Sequence, residues 1–291
     1  MSISKYEVFL KVVELGSLTK AADALGFTQS GISHTISSLE NQFGFPLLIR
    51  NRSGIKLTVN GEQVLQPIRE ILKWNEQLKQ EVAHIHGLEV GTLTIGTFTS
   101  VSVHWLPGMI KQFRADYPQI EFKLMEGDYR EIEHWIETGV IDCGFISLPT
   151  RDHFDVFPLK KDRMLGIVSK DHPLSGQPYL SFSQMVNEDF IIPKEGSDYD
   201  VRRVLDKAGM KPNVKFSAGD DYAIIAMVEK GLGISILPEM VLQGRNHNVT
   251  LLELEERSFR SLGIAVNSMK YASPAAKRFV KHVQSWVEPK S

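Results

Sequence analysis

The chain has 291 residues, 42% of them hydrophobic and 23% charged, which is enough for two or three domains with their own cores and excludes a disordered or fibrous protein. A formal net charge of -2 marks neither nucleic acid nor membrane as a partner of the whole surface, while a local basic patch stays compatible with it. The single Cys143 excludes an internal disulfide and fits a reducing cytosol. Glu7 and Glu14 interrupt the apolar pattern of the first residues, so these do not read as a signal peptide. No apolar run approaches the ~20 residues of a membrane span. The expectation is a cytoplasmic protein.

Ser4 and Glu7 have the spacing of a capping box, and Tyr6, Phe9, Leu10 and Val13 follow at helical spacing up to Gly16. A second helix carries Leu18, Ala21, Ala22 and Leu25 and stops at Gly26. The stretch "TQSGISHTISSLE" then predicts a third helix with Thr28 as N-cap and Ile32, Ile36 and Leu39 on the inner stripe. Its outer side shows Gln29, Ser30, Ser33, His34 and Ser37, where a surface helix usually carries Lys and Glu. Two strands, Leu47 to Ile49 and Ile55 to Leu57, flank a turn at "NRSG" and gather Arg50, Arg52 and Lys56 at one tip. The pattern is a winged helix-turn-helix.

Amide, hydroxyl and imidazole groups match the donors, acceptors and methyl groups on base edges, and the wing cations match phosphates. The candidate DNA-binding residues are therefore Gln29, Ser30, Ser33, His34, Ser37, Arg50, Arg52 and Lys56. A solvated helix in a bundle that happens to lack charge is the alternative that the pattern alone leaves open.

The segment "GSLTKAADALGFTQSGISHTISSLENQFGFPLLIRNRSGIKLTVNGE" resembles the N-terminal domain of LysR-type transcriptional regulators. The resemblance rests on the Ala21-Ala22 pair, Thr28-Gln29-Ser30, Ser33, Leu39-Glu40, Gly44-x-Pro46-Leu47, Arg50 and Leu57-Thr58. Leu48 stands where the family often has Phe, and His34 where it often has a basic or polar residue. His34 is thus the contact that the resemblance supports least.

From residue 59 to about 86, Val64, Ile68, Ile71, Asn75, Leu78, Val82 and Ile85 are spaced 4, 3, 4, 3, 4, 3, an unbroken heptad frame. At about 1.5 Å per residue this is a rod of roughly 40 Å. Its seam predicts pairing with a second copy, with Asn75 favouring one register and Pro67 a local kink. A single helix packed on its own chain is the alternative. The resemblance favours the dimer, two of which family members often join into a tetramer. His84 and His86 point in different directions on a helix and are not read as metal ligands.

Beyond a hinge at Gly87 and Gly91, strand and helix patterns alternate. They predict α/β units around mostly parallel sheets. The strands are "TLTIGT", "IEFKLMEG", "IDCGFI", "MLGIVS", "DFIIPK", "VKFSA", "ISILP" and "LGIAVN", and one helix is expected over "VHWLPGMIKQFRADYP". Two similar lobes suggest a ligand cleft between them. The family's effector domain resembles a periplasmic binding protein with two crossovers, and "IDCGF" and "VEKGLGISILPE" match it closely.

The fold class expected is an α/β effector domain of two lobes, preceded by an all-α winged helix-turn-helix domain and a long linker helix. The domains are 1–58 for DNA binding, 59–87 for the linker and dimerisation helix, and 91–291 for the effector domain. Within the last, lobe 1 takes about 91–161 and 268–291, and lobe 2 about 162–267. Ser100, with Thr99 before it, and Ser197 fall at helix starts facing the cleft, where hydroxyls and N–H groups hold an anion. By position in the family pattern, Asp128, Ser147 and Asp221 join them. Both serines serving only as N-caps is the alternative. The two aspartates ask for a cationic partner, so an effector with an amine beside its carboxylate, such as an amino acid, would satisfy the set.

The chain lacks Gly-x-Ser-x-Gly, a P-loop and His-Glu-x-x-His, and "GLG" at 231–233 is no dinucleotide fingerprint. No enzyme activity, metal or cofactor is expected. The resemblance implies a regulator whose partners are double-stranded DNA with an interrupted palindrome, a small effector, further copies of itself and RNA polymerase. A small-molecule-binding protein of the periplasmic type without DNA-directed function is the other reading.

Overall fold

A computed structural model describes residues 3–51, 54–86, 89–150, 153–244 and 247–288. The chain divides into two compact units, built essentially from residues 3–86 and 89–288.

The first unit runs α1 (Ile3–Leu15), α2 (Leu18–Leu25), α3 (Gln29–Phe43), β1 (Leu48–Asn51), β2 (Gly54–Leu57) and α4 (Val59–Ile85). Helix α1 begins at Ile3, so Ser4 lies inside it rather than at its N-cap. Ser17 caps α2 by accepting from the Lys20 N–H, and Thr28 caps α3 by accepting from the Gly31 N–H at 3.1 Å. Gly26 ends α2 in the left-handed region, φ 70°, where a side chain would be strained. Phe9, Val12, Ala21, Ala22, Ile32, Ile36, Leu39 and Leu47 form the core, and the two small alanines let α2 close on its neighbours. The wing pairs Leu48 with Leu57 and Asn51 with Gly54. Glu40 accepts from the Leu47 and Leu48 N–H groups, which ties the entry of the wing to α3.

Helix α4 continues through Pro67, which faces solvent. Two heptad positions are not available as a seam: Ile68 is buried in the core of the first unit and Val64 packs against it. Ile71, Trp74, Leu78, Val82 and Ile85 are exposed, Leu78 at 63% and Ile85 at 79%. Asn75 is half-buried.

The second unit begins with β3 (Gly91–Thr97), α5 (Thr99–His104), α6 (Leu106–Asp116), β4 (Ile120–Glu126), α7 (Tyr129–Glu137) and β5 (Cys143–Leu148). There follow β6 (Asp155–Ser169), a 3-10 turn at Pro173–Gly176, β7 (Tyr179–Leu180), α8 (Phe182–Met185), β8 (Asp189–Pro193), α9 (Tyr199–Lys207) and β9 (Asn213–Ala218). The chain closes with α10 (Asp221–Glu229), β10 (Ser235–Pro238), α11 (Glu239–Leu242), β11 (Val249–Val266) and α12 (Pro274–Val287). The helix expected over residues 103–118 is two helices broken at Trp105, because Pro107, lacking an N–H, sits in the first turn of α6.

The sheets differ from the mostly parallel arrangement expected. One sheet has the order β10-β6-β11-β5-β3-β4, with β7 added to β11, and its centre is antiparallel. β6 and β11 are long strands of 15 and 18 residues that pair along most of their length. Only their halves Met164–Ser169 and Leu262–Val266 show the continuous apolar pattern read as strands, since the rest is charged and polar. Ser261 to Ala265 pair with Leu148 to Gly144, so this half of β11 belongs with the first lobe. The second crossover therefore falls before Ser261, ahead of the expected lobe 2 boundary at 267, which is corrected. β8 and β9 run parallel, and β8 joins the second lobe through Phe190 and Ile234.

The first lobe buries Leu93, Ile95, Phe113, Phe145 and Phe279, with Phe113 edge-on to Phe279 at 5.4 Å. The second buries Met164, Phe190, Ile234, Ile236 and Leu252 on one side and Ile191, Ile224, Val228 and Leu237 on the other. Lobe 2 thus has helices on both faces of its strands.

Candidate functional site

A cleft of about 530 Å³ opens in the second unit where β6 and β11 cross between lobes. Thr99, Asp128, Ser197 and Asp221 line it, as expected from sequence. Ser100 and Ser147 do not: they are 1% and 6% exposed and lie behind its wall. Neither expected serine is an N-cap. Phe98 precedes α5 without a side-chain cap, and Asp198 occupies the N-cap of α9.

The organising residue is Arg260, 2% exposed in the middle of β11. Its Nε and Nη2 donate to Asp162 Oδ2 at 2.9 and 2.7 Å, Nη2 also to Ser100 Oγ at 2.8 Å, and Nη1 to the Tyr129 hydroxyl at 3.0 Å. Tyr129 in turn donates to Asp200 Oδ2 at 3.0 Å, and Ser147 donates to Asp200 Oδ1 at 2.8 Å. Asp162 Oδ1 accepts from the Met240 N–H. This chain of bonds joins α5, α7, β5, β6, α9, α11 and β11. Burial works against the Arg260 charge, but Tyr129, Asp162 and Asp200 together hold its pKa above the usual value. Burial, then the nearby Asp200, push the Tyr129 hydroxyl up, so it stays a donor. One Nη1 hydrogen of Arg260 remains outside these bonds, since a guanidinium has five.

The cleft lining carries six carboxylates, Glu126, Asp128, Glu131, Asp200, Asp220 and Asp221, against two cations, Lys194 and Arg260. Most of the acids are committed. Asp128 and Glu131 accept from each other's N–H at 2.9 and 2.8 Å and cap α7. Asp220 caps α10 by accepting from the Tyr222 N–H. Lys194 lies 3.5 Å from Asp128. Gly196, φ 102°, brings its loop so near that a Cβ would stand 2.6 Å from Asp128 Oδ2. Asp221 and Glu126 accept no hydrogen bond among the described residues. Burial pushes the Asp221 carboxyl up, and Arg260 nearby opposes this.

In the first unit, Gln29, Ser30, His34 and Ser37 are exposed along one side of α3. Ser33 is half-buried and accepts from Arg50 Nη2 at 3.1 Å, so the wing arginine is held against the helix. Lys56 is exposed on β2. Arg52 lies outside the described residues.

Among the described residues no cluster of His, Cys, Asp or Glu is arranged to hold a metal ion. Burial pushes the Cys143 thiol well up, which keeps it protonated and unreactive. Sequence reasoning missed Arg260, Tyr129, Asp162, Asp200 and Lys194. Arg260 carried one usable signal: it is a charge on the inward face of a strand otherwise closing on an apolar run.

A helix-turn-helix unit followed by a two-lobed ligand cleft defines a DNA-binding regulator controlled by a small molecule. The sequence carries both halves of one family: residues 3–62 match "Bacterial regulatory helix-turn-helix protein, lysR family" and residues 86–288 match "LysR substrate binding domain". A Bacillus subtilis (strain 168) HTH-type transcriptional regulator, YvbU, is 37% identical over 97% of both chains. The chain belongs to the LysR family of transcriptional regulators. The fold is also that of CbnR crystallised with its target DNA, with 22% identity, TM-score 0.70, and 98% of this chain and all of that one covered. The effector-binding domain of QuiR, solved with shikimate, covers 69% of this chain at TM-score 0.63 and 20% identity. Members of this family regulate transcription and are not, in general, enzymes. Among the described residues no helix is long and apolar enough to cross a membrane.

Proposed function

We propose that this regulator works in the cytoplasm as a dimer or a tetramer, reading an interrupted palindrome through α3 and the wing and answering to an amino-acid-like effector. The observation that carries the effector class is Asp221, a half-buried carboxylate facing the cleft that accepts no hydrogen bond among the described residues. Desolvated carboxylates favour a cation beside them, and an effector ammonium fits that need. The spare N–H of Arg260 and the Lys194 ammonium, on the same cleft, suit the effector carboxylate. Ser100 and Ser147 act through Arg260 and Asp200 as positioning residues rather than as contacts. The likeness to CbnR bound to DNA supports duplex DNA as the other ligand, and the exposed apolar side of α4 supports pairing of subunits. RNA polymerase enters as the partner that a transcription factor of this kind addresses.

The test is calorimetry of the full chain against matched ligands that differ only in the amine: amino acids, the corresponding 2-hydroxy acids and the simple carboxylates. Amino acids are expected to bind at least about tenfold tighter, since a buried charge partner is worth a kcal/mol or more. Equal affinity across the three sets removes the ammonium from the proposal. Binding only of anions, with Asp221→Asn without effect, assigns the cleft to a pure anion.

A further inference from the structure

The ribbon formed by β6 and β11 has two faces, and only one looks into the cleft. Strand alternation sends Asp162 and Arg260 to that side and sends Lys161, Phe259 and Ser261 to the other. Their register places Ser261 opposite Lys161 and Arg260 opposite Asp162. On the far side a depression of about 260 Å³ is walled by Lys161, Arg203, Lys207 and Arg257, with Phe259 beside them.

The charge there is the reverse of the cleft's. Four cations line it, and the one carboxylate in the lining is Asp200, which is buried and already accepts from Tyr129 and Ser147. Lys161 and Arg257 are exposed and have no ion-pair or hydrogen-bond partner among the described residues. Among the described residues Lys207 meets only Glu256, at 3.2 Å, with both side chains more than half exposed, so water or a ligand readily competes for it. Arg203 is anchored: its Nη1 donates to the Leu148 carbonyl at 2.7 Å and stands 3.7 Å from Asp200. Phe259 is 46% exposed and presents an apolar ring beside these cations. Converging guanidinium and ammonium groups beside an apolar plate fit a phosphorylated molecule with a flat body.

We propose that this rear depression is a second ligand site, for a small organic phosphate, separate from the cleft. Asp200 belongs to the walls of both, and α9 carries Arg203 and Lys207 to one and Asp200 to the other. An anion drawing Arg203 and Lys207 towards the strands therefore shifts α9 against the cleft, and the two sites are coupled. The coupling rests on the effector reading of the cleft; the anion site itself does not.

The experiment is titration of the full-length regulator with phenyl phosphate, followed by calorimetry and 31P NMR, with inorganic phosphate as the probe that lacks the ring. Saturable binding is expected, tighter for phenyl phosphate than for inorganic phosphate. The K161A/R257A variant, which removes two exposed side chains without partners among the described residues, is expected to keep its Tm and to bind phenyl phosphate about tenfold or more weakly. Lys194→Ala, on the cleft side, is expected to leave that affinity unchanged. Absence of saturable binding to the native chain overturns the site. So does binding that survives in K161A/R257A, or that Lys194→Ala abolishes, since the anion then sits in the cleft. If K161A/R257A instead weakens binding of duplex DNA and leaves phenyl phosphate unaffected, the face is a nucleic-acid contact and the proposal fails. An amino-acid panel that fails while phenyl phosphate behaves as expected removes the effector reading and leaves the rear site standing.

Discussion

Arg260 shows how a buried charge comes to be tolerated in this molecule. Its guanidinium is desolvated, yet four of its N–H groups reach Asp162, Ser100 and Tyr129, and Phe98 covers its face at 5.5 Å. Asp221 stands close by without such compensation. Its folded pKa is raised, so the native state takes up a proton more readily than the unfolded chain does. The cost of its charge is thus present at neutral pH and is relieved as pH falls through that raised value. Asp221→Asn is expected to raise Tm at neutral pH, with the gain shrinking as the pH is lowered; a gain independent of pH, followed by calorimetric scans, would assign it to packing instead. At the DNA-facing side the expected division of labour is between reading and attraction. Helix α3 has no Lys or Arg, so the wing should carry the salt dependence. Lys56→Ala or Arg52→Ala is expected to lower the slope of log affinity against log salt by about one, while Gln29→Ala relaxes base preference at one position by roughly 1–3 kcal/mol. Equal and sequence-independent losses in these variants would contradict that division.

Helix α4 changes surroundings along its length. Its first turns complete the core of the helix-turn-helix unit through Val64, Leu65, Ile68 and Leu72, and Ile71, Trp74, Leu78, Val82 and Ile85 are exposed. The heptad frame was legible in the sequence. Which of its positions are taken up within the chain was not, because an apolar side chain at a given spacing is equally suited to either neighbour. Two substitutions separate the roles. Ile68→Ala is expected to cost about 2–5 kcal/mol of stability of the first unit, as a cavity in a closed core does. Leu78→Ser is expected to leave that unit folded and to weaken self-association, measured by sedimentation across a dilution series. A Leu78→Ser protein that associates like the native one would move the pairing surface away from α4. Thr28 and Gly26, by contrast, were readable as the ends of their helices because capping is local chemistry, whereas Ser4 falls inside α1 and the new helix start at Pro107 was not anticipated.

At the scale of the whole effector unit, the two lobes share their longest strands. β6 and β11 contribute to both cores, and Arg260 with Asp162 sits where they cross. Separate melting of the lobes would have to break this ribbon. The slowest-exchanging amides at the two ends of β6 are therefore expected to share one opening free energy by native-state hydrogen exchange. Distinct values for Phe157 and Ile167 would show that the lobes open independently. The sequence by itself determined the family, through its motifs, and the order of the domains, most helices and the apolar strand centres, because propensity and periodicity act over a few residues. Thr99 and Ser197, read at helix starts that follow strands, line the cleft, and so do Asp128 and Asp221, which the family resemblance supplied. Only the tertiary structure decided that Ser100 and Ser147 are buried, that Ser100 bonds to Arg260 and Ser147 to Asp200, and that β11 returns to the first lobe before its apolar half. Those facts depend on partners 53 to 160 residues apart in the chain, brought together by pairing that no local pattern encodes.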